Sequence, residues 1–225
     1  MEIANNIFLK KKEIIFYLNN QFYQIDQANK WQKHPKDKFK TGELIDDTDV
    51  YIDTPNFTLI PDEISKELPT DKKQEFITSN RESFSFFSSP IPYISGELFW
   101  SAKTEEIEFL NREIPGCNIH HLAEPLLINK NRPNQLKYFL SNSFIYIICI
   151  KDNELKVANR FSIENNEDAL YFILSLIKEA DLTNIDFIFN CHGINKESLN
   201  KKLKSIFHSS DFIEHEENEF NSILN

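Results

Sequence analysis

The sequence predicts a duplicated α/β protein, each half running three short strands, a helix, a strand and a helix. Two observations carry this. Residues 7–26 hold closely spaced segments rich in aromatic and β-branched residues with turn-formers between them, and residues 136–161 repeat that plan. After the second meander, a 3.6-residue period gives way to a short apolar run and then returns.

In the first half, strands are expected at residues 7–10, 13–18 and 22–26. Lys10, Lys11 and Lys12 supply one turn, and Asn19 and Asn20 the other. Residues 28–49 are polar and charge-rich and read as an inserted charged loop. Helices at 61–67 and 71–78 and strands at 84–87 and 97–101 follow. Thr104 then opens a helix with Ile107, Leu110 and Ile114 inward, before a strand at 118–122 and a helix from Ala123.

In the second half, strands at 136–140, 144–150 and 155–161 are joined by polar turns. Asn165 and Asn166 offer an N-cap and Glu167 and Asp168 suit the first helical turn, after which Leu170, Ile173, Leu174 and Ile177 recur at helical spacing. A buried strand over 185–189 adds Ile185, Phe187 and Phe189 to the predicted core and stops at Gly193. Asn195 opens a helix with Leu199, Leu203, Ile206 and Phe207 on one side, and Phe212 and Ile213 form a last short strand. The halves are residues 1–125, including the charged loop 28–49, and residues 130–225.

The chain has 225 residues, 40% of them hydrophobic, enough to bury a substantial core. A formal charge of −10 opposes binding a polyanion over a broad face, so extensive contact with nucleic acid or an anionic membrane is disfavoured. Residues 1–12 lack a signal-like apolar core and no run approaches the roughly 18 apolar residues of a membrane span, which predicts a cytoplasmic protein without membrane insertion. The cysteines, Cys117, Cys149 and Cys191, are odd in number and widely spaced, and read as buried thiols rather than disulfide partners or zinc ligands.

Three strands, helix, strand, helix, given twice, is the order of a duplicated ribonuclease-H-like unit, and here the chain resembles the actin-like ATPase superfamily. More closely, Phe57-Thr58-Leu59-Ile60-Pro61, the strand end Asn159-Arg160-Phe161, and Glu167-Asp168-Ala169-Leu170-Tyr171-Phe172 look like a bacterial domain family of unknown function with that fold. The resemblance spans nearly the whole chain. It implies an actin-like ATPase fold, with two ribonuclease-H-like halves whose mixed sheets are flanked by helices.

In that superfamily, the turn between the first two strands of each half cradles phosphate with backbone N–H groups, and an Asp at the end of the first strand organises a metal. Here the first turn reads Leu9-Lys10-Lys11-Lys12-Glu13 and the second Leu140-Ser141-Asn142-Ser143-Phe144, without Asp or Gly in either turn. No Gly-Gly pair lies near Cys191-His192-Gly193. These departures predict a chain that does not hydrolyse nucleotide and needs no cofactor.

The remaining candidates are contact surfaces. Lys10, Lys11 and Lys12 place three cations in one turn, able to attract phosphate or simply to guard a sheet edge. Lys30, Lys33, Lys36, Lys38 and Lys40 interleave with Trp31, His34 and Phe39, either an RNA-contacting loop or a charged loop whose aromatics tuck onto the core. Ser83-Phe84-Ser85-Phe86, with Tyr93, Phe99 and Trp100, lines either the core or a partner groove.

His120 and His121 with Glu124 and Cys117 invite a metal reading. Adjacent strand residues point to opposite faces, so the two histidines do not converge on one ion, and the same holds for Cys191 and His192 as a catalytic pair. Asp46, Asp47 and Asp49 read as a solvated acidic run. The expected function is a non-catalytic binding or scaffold module whose partner is another protein, as some actin-like relatives are cytoplasmic adaptors of secretion and pilus machines. The alternatives are a small ligand or nucleotide held in the cleft between the halves, and an RNA-associated accessory factor.

Overall fold

A computed structural model describes residues 13–25, 30–35, 48–78, 82–91, 94–128, 133–182, 187–208 and 210–214. In chain order, the first half contains β1 (Glu13–Leu18), β2 (Gln21–Ile25), β3 (Trp31–Pro35), β4 (Thr48–Ile52), β5 (Phe57–Pro61), α1 (Asp62–Glu67), α2 (Thr70–Glu75), β6 (Phe84–Ile91), β7 (Gly96–Lys103), α3 (Thr104–Glu113), β8 (Asn118–His121) and α4 (Glu124–Leu127). The second contains β9 (Gln135–Leu140), β10 (Phe144–Lys151), β11 (Glu154–Ser162), α5 (Asn166–Glu179), β12 (Ile188–Gly193), α6 (Glu197–Ile206) and β13 (Asp211–Glu214).

Two five-stranded sheets result, ordered β3-β2-β1-β4-β8 and β11-β10-β9-β12-β13. In each, the first three strands form an antiparallel meander and the last two add parallel to its first strand. The sheets are topological equivalents. Between β4 and α3 the first half carries an additional antiparallel sheet, β5-β7-β6, packed by α1 and α3.

The second meander lies where periodicity placed it. In the first, β1 and β2 match the strands expected at 13–18 and 22–26, the expected strand at 7–10 lies outside the described residues, and the meander continues into β3. The charged loop expected over 28–49 is corrected, because it contains strand β3 and the start of β4. Trp31-Gln32-Lys33-His34-Pro35 looks polar because among the described residues β3 is an edge strand, bonded only to β2, where charged residues and Pro are tolerated. Thr48 and Asp49 hide the opposite case, a strand buried along its whole length.

Strand β10 explains how the halves pack. Phe144, Tyr146, Ile148 and Ile150 point to one face and join the core of the first half with Phe16, Trp100 and Leu110. Ile145, Ile147 and Cys149 point to the other face and meet Ile173 and Ile177 of α5 and Leu199 and Leu203 of α6. A strand covered on both faces reads as a continuous apolar run. Phe16 stacks with Phe139 at 6.5 Å between ring centroids, and Trp31 meets Phe139 edge-on at 6.0 Å.

Asn165 does cap α5, its side chain accepting from the Asp168 N–H at 3.0 Å. The buried stripe is Ala169, Ile173, Leu176 and Ile177, so Leu170 and Leu174 of the predicted core are only half-buried. Phe187 and Phe189 are buried and Ile185 lies outside the described residues. In α6, Leu199 and Leu203 turn inward while Ile206 is exposed, because the helix ends there. Asn195 precedes that helix without capping it.

Candidate functional site

The junction of the halves is built from the ends of parallel strands. Each half opens with a hairpin whose tip reaches this junction. The first tip is Asn19-Asn20, between β1 and β2, with both residues at positive φ (51° and 61°). Asn tolerates that left-handed backbone, and two such residues make the tight turn whose twist suits antiparallel strands. In the described sheet this is the tip equivalent to residues 141–143, while Lys10, Lys11 and Lys12, expected at the first turn, lie outside the described residues. The second tip is Ser141-Asn142-Ser143, between β9 and β10, as expected.

The two tips touch. The Asn19 side-chain amide donates to Ser143 Oγ at 2.7 Å across 124 residues of chain, and the Asn195 amide donates to Asn142 Oδ1 at 3.2 Å. Beside them lies a cavity of about 290 Å³ lined by Leu140, Ser141, Asn142, Ile163, Glu164, Asn165, Asn166, Ile194 and Asn195. It sits at the carboxyl ends of parallel β9 and β12, where open α/β sheets leave a crevice. Its polar lining is amide and hydroxyl groups, which form neutral hydrogen bonds, with one carboxylate, Glu164.

Asp53, directly after β4, brings a carboxylate to the same junction, and its lone pairs are occupied. Arg160 Nε and Nη2 donate to its two oxygens at 2.7 and 2.8 Å, and the Tyr146 hydroxyl lies 2.8 Å from Oδ1 and 2.9 Å from the Thr54 carbonyl. The guanidinium carbon is 4.7 Å from the centre of the Phe144 ring. Burial, first, then the nearby Asp53 charge hold the Tyr146 hydroxyl well above its ordinary pKa, so it remains a donor. Composition alone does not mark Asp53, Tyr146 or Arg160 as a set. Arg160 carried only a family resemblance, and Asp53 follows an apolar strand like any solvated loop residue.

His120 and His121 point to opposite faces of β8, as alternation requires. Nε2 of fully buried His121 donates to the Thr54 carbonyl at 3.1 Å, its Nδ1 accepts from the Ala123 N–H, and burial pushes its pKa down to about 4. His120 lies between carboxylates, with Nε2 3.4 Å from Asp49 Oδ1 and Nδ1 3.1 Å from Glu124 Oε2. Asp49 is therefore a buried strand residue and not part of a solvated run, while Asp46 and Asp47 lie outside the described residues. Glu124 also accepts from Ser89 Oγ and the His121 N–H.

Hydrogen bonds to Asp49 and Glu124 outweigh burial and raise the His120 pKa from its ordinary 6.5 to about 9. Because the folded value is the higher, this contribution is fully present below about pH 6.5 and is lost as pH rises through about 9. Stability is expected to fall over that window by about 1–2 kcal/mol more in the wild type than in His120→Gln, allowing for screening at this partly exposed ring. Urea unfolding at pH 6 and pH 9.5 checks it; parallel pH profiles would refute the assignment.

Of the surface candidates, Trp31 packs into the core against Phe16, Tyr23 and Phe139, and Lys33 is exposed on the edge strand. Lys36, Lys38, Lys40 and Phe39 lie outside the described residues. Phe99 and Trp100 are buried, Phe84 and Phe86 are half-buried with Phe86 stacked on Phe99, and Tyr93 lies outside the described residues. Cys149 and Cys191 are buried and Cys117 is half-buried. No helix among the described residues is long and apolar enough to cross a membrane.

The equivalent sheets β3-β2-β1-β4-β8 and β11-β10-β9-β12-β13, meeting at their hairpin tips, define a protein of the actin-like ATPase fold. A crystal structure from Bacteroides thetaiotaomicron VPI-5482, of a protein with actin-like ATPase fold and unknown function, superposes with a TM-score of 0.69 at 16% identity, covering 95% of this chain and 94% of that one. The PilM–PilN type IV pilus biogenesis complex contributes a chain with a TM-score of 0.54 at 7% identity, covering 92% of this chain and 88% of that one. The chain belongs to the DUF3822 family of proteins of unknown function, whose model matches residues 6–215. No curated protein matches the sequence.

Proposed function

We propose that this chain is a non-catalytic, cytoplasmic binding module that uses an actin-like shell to engage another protein. The observation that carries the reading is the direct Asn19–Ser143 hydrogen bond between the hairpin tips. Tips that cradle a phosphate must leave room for it and aim backbone donors at it; these spend side-chain groups on each other. Asp53 adds to the case, since a carboxylate bonded to Arg160 and Tyr146 is poorly placed to organise a metal. Similarity in fold to a chain of the PilM–PilN complex is compatible with a protein partner and names none.

The reading predicts that purified protein shows no saturable Mg-ATP binding below millimolar concentration and no phosphate release above the uncatalysed background. Positioning and metal-assisted charge stabilisation supply most of the catalysis of phosphoryl transfer, and neutral Asn and Ser side chains supply little of either. Isothermal titration and a phosphate-release assay with Mg present are the measurements. Micromolar affinity or measurable turnover would overturn the reading.

The Asn-lined cavity favours a second reading, retention of a small neutral polar ligand. A thermal-shift panel tests it, because a ligand at 100 times its Kd adds about 2.7 kcal/mol of stability.

A further inference from the structure

Tyr171 is 65% exposed, although it belongs to a helix that otherwise buries its large apolar residues wholly or in part. It lines a cavity of about 500 Å³ with Ser162, Ile163, Glu164, Asp168 and Phe172. Phe172 forms the floor, stacked on Phe161 at 4.2 Å. Ser162 ends β11, which among the described residues is an edge strand bonded only to β10. The walls are held in place, as the Glu164 N–H donates to Asp168 Oδ2 at 2.8 Å while the Asp168 N–H donates to the Asn165 cap.

The lining includes two carboxylates, Glu164 and Asp168, and no basic side chain. Arg160 reaches the lining, its Nη1 donating to Ser162 Oγ at 3.4 Å, but its charge is held by Asp53, and Lys202 is paired with Glu167. An exposed aromatic ring in a groove that two carboxylates also line, at the end of an edge strand, is complementary to a cationic side chain on an extended segment. Such a cation gains from the ring quadrupole and the carboxylates together, and the segment's backbone gains from the edge.

We propose that this groove docks a basic segment of a partner protein, with an Arg or Lys side chain seated over Tyr171 between Glu164 and Asp168. It rests on the binding-module reading and gives that module a face and a partner chemistry. The groove lies beside the α5 cap on the second half and adjoins the cavity at the hairpin tips, sharing Ile163 and Glu164 with it, while Asn19 and Ser143 are not part of its lining.

The test is titration of the ¹⁵N-labelled full chain with a hexa-arginine peptide, in the wild type and in Tyr171→Ala and Glu164→Gln. Both side chains are exposed, so each variant is expected to fold. Saturable shifts centred on residues 162–172, with affinity weakened about tenfold in each variant, support the proposal. Because the chain carries −10 overall, diffuse attraction is the competing explanation. Shifts spread over the acidic surface with unchanged affinity in the uncharged exchange Tyr171→Ala would overturn it. So would an absence of binding, or free arginine binding as tightly as the peptide. None of these outcomes bears on Mg-ATP binding or turnover, which decide the non-catalytic reading.

Discussion

Asp53→Ala is expected to destabilise the protein by about 3–5 kcal/mol, because it leaves a guanidinium charged and without its partner inside the molecule. The Arg160 and Asp53 side chains are 11% and 6% exposed, and the pair is bidentate. Taking two charges out of water is costly, and their mutual attraction offsets that cost only while both are present. The loss also deprives the Tyr146 hydroxyl of one of two acceptors, leaving the Thr54 carbonyl. Urea unfolding gives the free energy, with a fall in Tm of roughly 10 °C for a chain of this size.

The companion experiment separates stabilisation from orientation. Replacing both residues, as Asp53→Leu with Arg160→Met, removes both desolvation penalties and is expected to lie within about 1–2 kcal/mol of the wild type. A single variant as stable as the double would mean that water reaches Arg160 once Asp53 is gone. The pair would then contribute little to joining the halves.

Gly193→Ala is expected to cost roughly 3–5 kcal/mol, combining backbone strain with overpacking. Gly193 has φ +111°, outside the range that L side chains adopt, and an added Cβ would lie 2.1 Å from the Leu140 carbonyl oxygen and 2.5 Å from its nitrogen. Those are backbone atoms of the neighbouring parallel strand, held by the Ile194 N–H bond to the Leu140 carbonyl at 2.7 Å, so the strand cannot yield without breaking that bond. The hairpin tip at 141–143 starts immediately after Leu140, and its contact with Asn195 is expected to loosen too. Gly116→Ala is the control: it shares a positive φ of 78° with nothing within 4 Å, and is expected to cost about 1 kcal/mol. Equal costs at the two positions would show that the close approach at Gly193 is unimportant.

By itself the sequence determined the class of fold and nearly all of the second half. Local signals suffice there: β10 is apolar throughout because both its faces are covered, and Asn165 followed by Glu167 and Asp168 marks the start of α5. In the first meander β1 and β2 were legible, but not which turn faces the junction, since Lys10, Lys11 and Lys12 advertise a turn as strongly as Asn19 and Asn20 do. An edge strand such as Trp31–Pro35 needs so few apolar residues that it passes for a loop. Only the tertiary structure decided what the junction does. Periodicity records which side of an element is buried but not what buries it, so it could not pair Asp53 with Arg160 across 107 residues or Asn19 with Ser143 across 124. Those contacts depend on how two separately legible sheets come together, and that is set by the shape and charge of whole faces.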